Sequence, residues 1–348
     1  MEQISDIRSK DKFTKFTFSN YKKTDVLKEL LKSLKDEKRE EGCYWSAELI
    51  CGGNILELWE IVILYLSKYI HIGNPKLPIY ISNCVDKFKK IMNDNYIGDD
   101  LAIRNNNSFR QLFCEIIVIL IESSRKTPLC ESNKVSQLDF DVSNIGSKLK
   151  APNINYIKPL FKEGDTKEVY IALNELYYNI SDEKNNVMAC YWIEWLIEFD
   201  IRTRKQKKKY LCERRSYIPV KQEDQINIIW IIWDVFFDIA KTNMDKKILN
   251  SLLNIFCLRF SKGIPKKRKF IFYYIISLFT ERVNYNTSLI KDITIVNKIK
   301  ENINKIYKEI KKNEISPKVD YLLIDPKKSN KEKSIEKLKI MDTINFNK

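Results

Sequence analysis

The sequence predicts an all-α protein, a tandem duplication of a roughly five-helix unit with a polar C-terminal helix and tail. Three observations support this prediction. Apolar residues recur at helical spacing along most of the chain. Glycine is scarce, with 8 in 348 residues, and helices have the least need of its conformational freedom. Finally, the words DEK and CYW of residues 36–45 return in the same order in residues 182–192.

The predicted first unit covers residues 25–127 and follows a basic N-terminal segment, residues 1–24. Asp25 is a plausible N-cap for a helix with apolar residues at positions 27, 30, 31 and 34. Gly52 and Gly53 stop the CYW helix that comes next. The remaining helices of this unit are expected at 56–70, 79–92 and 108–123.

A connector, residues 128–166, is rich in Ser, Asn, Asp and Pro and has no long apolar stripe. The predicted second unit covers residues 167–285. Its helices are expected at 169–180, 188–199, 226–241, 246–260 and 269–282. Residues 286–348 are predicted to form an amphipathic helix, with a stripe from Ile295 to Ile310, and a charged tail.

Alignment of the two units pairs Trp59-Glu60 with Trp233-Asp234 and the basic-led helix at Arg110 with that at Arg268. The units differ in the length between their CYW helix and the next tryptophan. Trp45 and Trp59 are 14 positions apart, whereas the equivalent pair in unit two is 41 apart. We interpret residues 200–225 as a basic insertion in the second unit. The alternative is a single helical array in which the tripeptide recurs by coincidence.

Composition excludes some functional classes and favours others. An apolar fraction of 44% is ample for a buried core. The glycine patterns of nucleotide-binding loops, GxGxxG and GxxxxGK[ST], do not occur. A net charge of +15 indicates a polyanionic partner, either nucleic acid or an acidic protein. Codon bias in an AT-rich genome would also enrich lysine without selection for binding.

Eight cysteines are scattered without any CxxC pair, and His71 is the single histidine. We therefore expect reduced, buried cysteines and neither a metal site nor a cofactor. The polar, mixed-charge N-terminus predicts no signal peptide. The most apolar run, residues 226–240, is too short for a membrane span and contains two aspartates. The protein is expected to be intracellular and not secreted.

The basic insertion is the strongest local signal, with eight Lys or Arg residues in positions 202–215. A second basic cluster, residues 262–269, precedes the final helix of the same unit. Cations that neutralise phosphates, beside an aromatic ring that stacks on a base, are typical of nucleic-acid binding. The alternatives are a solvated loop, a nuclear-import signal or a protein-docking patch. The predicted nucleic-acid-binding residues are Arg202, Arg204, Lys205, Lys207, Lys208, Lys209, Tyr210, Arg214, Arg215, Lys266, Lys267, Arg268 and Lys269.

Three other patterns have simpler explanations. Tryptophans three positions apart share a helix face and are expected in the core rather than in a ligand pocket. The i,i+4 acid pairs Glu194/Glu198 and Asp234/Asp238 lack the Glu-x-x-His partner of a bundle di-metal site. They are expected to be exposed and to offset nearby lysines. His71 is expected to place a favourable charge at a helix C-terminus or to make a turn hydrogen bond, since no feature links it to a nucleophile.

The CYW helices at 41–50 and 189–195, in a chain rich in Lys, Ile and Asn, are similar to uncharacterised helical proteins of nucleocytoplasmic large DNA viruses. This resemblance implies a cytoplasmic viral protein acting in replication, transcription or virion assembly. It brings no catalytic residues with it. Two tandem five-helix units also resemble cyclin-box proteins at the level of the fold, without matching motifs.

Together these features predict a non-enzymatic protein that binds nucleic acid through basic loops of its second unit. The alternative is a protein–protein scaffold or virion structural component that docks an acidic partner. A third class, an enzyme with an unrecognised site, would need a pocket lined by Glu194, Glu198 and Asp234. A small-molecule substrate is not expected.

Overall fold

The computed structural model describes residues 3–96, 101–130, 135–208 and 210–315, together with positions 335 and 338. The described residues form thirteen α-helices and no β-strand, which confirms the all-α prediction. Apart from positions 335 and 338, the predicted charged tail beyond residue 315 lies outside the described residues. The helices are α1 (Lys23–Lys35), α2 (Arg39–Cys51), α3 (Ile55–Leu64), α4 (Leu77–Asn95), α5 (Asn107–Glu122), α6 (Val142–Ile145), α7 (Tyr170–Ser181), α8 (Asn186–Lys205), α9 (Ile229–Ile239), α10 (Asn243–Phe256), α11 (Ile264–Lys267), α12 (Lys269–Thr280) and α13 (Ile293–Lys311).

The start of α1 differs from its prediction. The helix begins at Lys23 with Lys22 in the N-cap position, so Asp25 lies inside the first turn. A carboxylate there still interacts favourably with the unsatisfied N–H groups of the helix start. The apolar stripe faces inward as expected, because Leu30 and Leu34 are fully buried.

Two sets of five helices have four packing contacts in common. In the first set, α1 packs on α2 and α3, and α5 packs on α2 and α4. In the second set, α7 packs on α8 and α9, and α12 packs on α8 and α10. These four packing contacts are common to α1 to α5 and to α7 to α10 with α12, taken in order along the chain.

The turns before the two CYW helices share a backbone conformation. Glu37 and Lys184 have positive φ angles of 59° and 55°, and each lies six positions before the cysteine of its CYW word. The next residue then donates its backbone N–H to a carbonyl in the last turn of the preceding helix. These bonds are Lys38 to Ser33 and Asn185 to Asn179, both 2.9 Å.

The third helix of each set places a tryptophan between two phenylalanines. Trp59 contacts Phe88 of α4 and Phe113 of α5, with ring centroids 5.6 and 5.1 Å away. In the second set, Trp233 contacts a phenylalanine of α10 and one of α12, Phe256 at 5.5 Å and Phe272 at 5.8 Å. Both indoles are at most 1% exposed, so these aromatic clusters lie in the core.

The connector between α5 and α7 is anchored on α7 by polar side chains. Its described residues contain only short helical turns, among them α6. The buried carboxylate of Glu175 accepts the backbone N–H groups of Lys150 and Ala151. Asn174 accepts the N–H of Tyr156 at 3.0 Å. These bonds supply partners for connector backbone groups that have none within a helix.

The two sets of helices meet along α4 and α10, which pack directly on each other. Asn254 of α10 donates to Ser82 and accepts from Lys89, both on α4. Helix α13 returns to the first set and packs on α2 and α5. Within the described ranges, no helix is both long and apolar enough to cross a lipid bilayer.

Candidate nucleic-acid interface

The first part of the predicted basic insertion is helical. The expected end at residue 199 was wrong, since α8 continues to Lys205. Arg202 and Arg204 therefore lie on a helix rather than in a loop. Arginine and lysine are good helix formers, and positive charge is favourable in the last turn of a helix. Two i,i+4 ion pairs add to this, Glu198–Arg202 at 3.2 Å and Asp200–Arg204 at 2.6 Å.

Arg215 belongs to the core and not to the surface. Its side chain is 1% exposed, and two of its nitrogens bind the two carboxylate oxygens of Asp165 at 2.5 and 2.7 Å. A third nitrogen binds Asp234 at 2.8 Å. Burial by itself lowers the pKa of the guanidinium, but Asp165 and Asp234 outweigh burial and raise that pKa. Because the guanidinium of Arg215 is buried and bound to Asp165 and Asp234, it cannot contact a phosphate from outside. This placement argues against its predicted role in binding nucleic acid.

Arg268 is also buried, with a side chain 3% exposed. It pairs with Glu60 of α3 at 2.5 Å and donates to the carbonyls of Ile255, Phe256 and Leu258 at the end of α10. The guanidinium thus satisfies carbonyl groups that the helix end leaves without partners. As with Arg215, this placement argues against a contact with nucleic acid.

The lysines beside Arg268 differ in exposure. Lys269 binds Glu194 and its side chain is only 20% exposed. Lys267 lies 3.6 Å from Glu60 and its side chain is 56% exposed. Lys266 is more open still, with 67% of its side chain exposed. Of these three lysines, Lys266 is therefore the most available to an external anion.

A groove joins the two basic clusters. Its volume is about 390 Å³, and its wall combines the end of α8 with α11 and the turn before it. The cations that line it are Arg204, Lys205, Lys262 and Lys266. Its floor is apolar, formed by Ile197, Ile201 and Pro265. Glu198, which does not line the groove, also connects the two basic clusters, because its carboxylate contacts both Arg202 and Lys266.

One acid, Asp200, lines the same groove. Burial raises the pKa of this carboxyl above its ordinary value, and the charges of Arg204 and Lys262 oppose that shift. Since Asp200 is the only acid of the groove lining, the four cations outnumber it. The groove therefore carries net positive charge.

The rest of the insertion is partly exposed. Lys207, Lys208 and Arg214 lie at the surface, although Arg214 also donates to Gln225 at 2.7 Å. The predicted contact residue Lys209 lies outside the described residues. Tyr210 is half-buried, with its ring 5.3 Å from that of Phe199. The Tyr210 ring therefore already has an aromatic contact within the protein.

The tryptophans and paired acids are bound within the protein. Five of the six tryptophans are buried, and Trp45 is partly buried against Tyr21 and Tyr44. Each acid of the two i,i+4 pairs bonds to a basic or tyrosine side chain: Glu194 to Lys269, Glu198 to Arg202, Asp234 to Arg215 and Asp238 to Tyr177. The side chains of Glu194, Glu198 and Asp234 are only 12%, 24% and 16% exposed, so the expectation of exposed acids was wrong for these three. Each carboxylate thus has a partner within the fold.

His71 is fully buried at the end of a π-helical turn, Tyr65–Ile70. Its φ of 50° is unusual for a residue other than glycine. Nδ1 lies 2.9 Å from the carbonyl of Ser67, whereas Nε2 has no partner within the described chain. Burial lowers the pKa of His71 to about 4, so the imidazole is neutral at neutral pH. The spacing of apolar residues gave no signal of this strained position.

Comparison of the chain with protein-family models, with curated proteins and with solved structures finds no match.

Proposed function

We propose that this chain is a non-enzymatic protein that binds nucleic acid through the basic groove and the adjacent surface of its second helical set. The observation behind the proposal is the convergence of Arg204 and Lys205 with Lys262 and Lys266 around one groove. These residues come from segments about sixty positions apart in the chain, and the fold brings them to one surface. Phosphate contacts by several such cations supply most of the affinity in sequence-independent binding.

The structure narrows the set of proposed contact residues. Lys205, Lys207, Lys208, Lys262 and Lys266 are exposed and belong to, or adjoin, the groove. Arg204 adds charge but shares it with Asp200. Arg215 and Arg268 leave the set because both are buried in internal ion pairs. The proposed interface is thus smaller than the predicted one and consists mainly of lysines.

We also propose that the two five-helix sets are copies of one unit. The shared helix neighbours, the positive-φ turns and the Trp–Phe clusters support this proposal. Under it, the first set is a scaffold and the basic segment is an addition to the second. With the resemblance of the CYW helices to proteins of large DNA viruses, we place this activity inside an infected cell or in a virion.

Fluorescence anisotropy with a labelled duplex and a labelled single strand, over a series of salt concentrations, tests the interface. We expect the Lys205→Gln, Lys262→Gln, Lys266→Gln variant to bind more weakly than the parent. Its plot of log affinity against log salt should lose a slope of about 2 to 3, roughly 0.7–0.9 for each phosphate contact removed.

A matched control removes the same charge elsewhere. Lys12, Lys22 and Lys32 are exposed and belong to the first set or its N-terminal segment. Their triple glutamine variant should keep the parental salt slope. Equal losses in the two variants would show an effect of net charge alone and overturn the interface. Absence of nucleic-acid binding, with a nuclease-resistant protein partner in affinity purification, would favour an acidic protein ligand instead.

A further inference from the structure

A second cavity, of about 760 Å³, lies on the second helical set among the connector, the end of α7, the α9–α10 turn and the end of α12. Its apolar lining includes Ile239, Leu278, Phe279 and Val283. Three tyrosines also contribute to the wall: Tyr156, Tyr177 and Tyr285. A volume of this size is typical of small-molecule sites.

Each of the three tyrosines holds a carboxylate of the same cavity. Tyr156 donates to Asp182 at 2.7 Å, Tyr177 to Asp238 at 2.6 Å and Tyr285 to Asp245 at 2.7 Å. A neutral hydroxyl donor positions an acid without cancelling its charge. The three Tyr–Asp pairs therefore fix the orientation of three negative charges around the cavity.

These three carboxylates have no ion-pair partner within the part of the chain that the structure describes. Elsewhere many acids are paired, as expected for a chain with 61 basic residues. Lys184 and Lys241 also line the cavity, where their charges help to lower the pKa of Asp182, and the Lys184 ammonium donates to the carbonyl of Phe279 at 3.2 Å. The lining thus holds four acids, Asp182, Asp238, Asp245 and Glu281, against two lysines. The cavity is therefore a region of negative charge on a protein whose net charge is +15.

A fourth acid of the cavity, Glu281, has a buried carboxylate oxygen without a hydrogen-bond donor in the described chain. The side chain of Glu281 is 10% exposed and belongs to the cavity lining. One of its oxygens binds Lys126 at 2.7 Å. The other, Oε1, is buried and has no hydrogen-bond partner within the described chain. Buried carboxylate oxygens without a donor are costly, so a ligand that supplies one would be favoured.

Phenol and carboxyl ionisation agree with this distribution of charge. The hydrogen bond from Tyr156 lowers the pKa of Asp182 below its usual range. Burial, followed by the bond to Asp238, raises the pKa of Tyr177, and Tyr285 is raised for the same kind of reason. At neutral pH Asp182 is therefore charged, and the phenols of Tyr177 and Tyr285 are not.

We propose that this cavity binds a linear aliphatic polyamine. Ammonium groups of such a ligand would pair with Asp182, Asp238 and Asp245, and the methylene chain would pack on the tyrosine and aliphatic walls. Aromatic faces also attract cations, which adds to the preference for an ammonium group. The site is separate from the basic groove and does not depend on nucleic-acid binding.

Asp238 also lines a neighbouring cavity of about 640 Å³ with Leu160, Tyr217 and Phe237. The two cavities share this carboxylate, so both offer room beside it for an extended ligand. A compact metal ion would use neither the length nor the apolar walls. This shape is the reason for choosing an extended amine over an inorganic cation.

Isothermal titration calorimetry of the full chain with spermidine tests the proposal, with Mg²⁺ alone as a second probe. We expect saturable binding of spermidine and no comparable binding of Mg²⁺. The Asp182→Asn, Asp238→Asn variant should bind at least roughly tenfold more weakly, since charged hydrogen bonds are lost. Both residues are exposed, so the variant should fold.

The matched control is Glu168→Gln with Glu223→Gln, two exposed acids outside the cavity lining. It changes the net charge by the same amount and should bind spermidine like the parent. The proposal is overturned by an absence of saturable spermidine binding, by equal affinities of the two variants, or by Mg²⁺ binding that competes equally. None of these outcomes bears on binding at the basic groove, which is measured separately.

Discussion

Arg215 and Asp165 face each other through two hydrogen bonds of 2.5 and 2.7 Å, with side chains 1% and 0% exposed. The pair joins the segment after α8 to the connector, and Asp234 extends it to α9. Asp165 further accepts backbone N–H groups from Lys162 and Glu213. The carboxylate of Asp165 therefore has hydrogen-bond donors for both of its oxygens, as a buried ion pair requires.

Removing the arginine should therefore destabilise the fold. We expect Arg215→Met to lower the free energy of unfolding by about 3–5 kcal/mol, because two carboxylates lose their buried cation. Chemical denaturation followed by tryptophan fluorescence measures the change. The exposed neighbour Lys208 provides the control, and its methionine variant should stay within about 0.5 kcal/mol of the parent. Similar small losses in both variants would contradict the assignment of Arg215 to the core.

Glu60 and Arg268 make a comparable pair between the two helical sets. Glu60→Gln should lower the free energy of unfolding by about 3 kcal/mol, because the Arg268 guanidinium stays buried without its counter-ion. The surface pair Lys38–Glu41, at 2.9 Å, offers the comparison. There, Glu41→Gln should cost at most about 1 kcal/mol. A Glu60 effect as small as the Glu41 effect would contradict this role.

Glycine at the two positive-φ turns should stabilise the protein. Glu37 and Lys184 adopt a left-handed backbone that costs side-chain-bearing residues about 1–2 kcal/mol. We expect Lys184→Gly to raise the free energy of unfolding by about 1 kcal/mol. Glu37→Gly should gain less, because it also loses a surface contact with Arg125. Asp36→Gly, at a φ of −85°, should not stabilise, and a gain there would contradict the explanation.

His71 should make stability depend on pH. Burial depresses its pKa in the folded protein from 6.5 to about 4, against the nearby charge of Glu281. As the pH falls below 6.5, the unfolded chain therefore binds a proton before the folded one does. The stability that the neutral, buried His71 side chain contributes is fully present above pH 6.5. It is lost progressively as the pH falls towards 4, by about 3 kcal/mol in all.

The chain has a single histidine, so one NMR titration reports its pKa directly. Denaturation at several pH values gives the stability difference from His71→Asn, a variant whose side chain does not titrate in this range. The difference between parent and variant should change between pH 6.5 and 4. A measured pKa near 6.5 in the folded protein would contradict the burial argument.

Local pattern was enough to predict the helices and the buried tryptophans. Trp59 and Trp233 belong to apolar stripes with helical spacing, and such stripes determine which side faces the core. The end of α8 was mispredicted because its last turn is charged, and a charged turn carries no apolar periodicity. Its stability comes from the i,i+4 pairs of Arg202 and Arg204 instead.

The candidate site was only partly predictable. A run of basic residues does not distinguish Lys205, at the surface, from Arg215, in the core, because the difference depends on acids far away in the chain. Asp165 lies fifty positions from Arg215, and Glu60 lies 208 positions from Arg268. The tyrosine–carboxylate cavity was missed for the same reason, since its three pairs join separate helices and turns.

Helix α13 packs on helices that are made much earlier during synthesis of the chain. α13 packs on α2 and α5, where Arg110 reaches Asn304 at 3.0 Å and Lys300 reaches Glu115 at 2.6 Å. Beyond it, the backbone N–H of Ile7 bonds to the carbonyl of Ile315. During synthesis, α13 begins 242 residues after the end of α2 and 171 residues after the end of α5. Over that interval the face of α5 that receives α13 is open to solvent, and a chaperone or an early partner can occupy it.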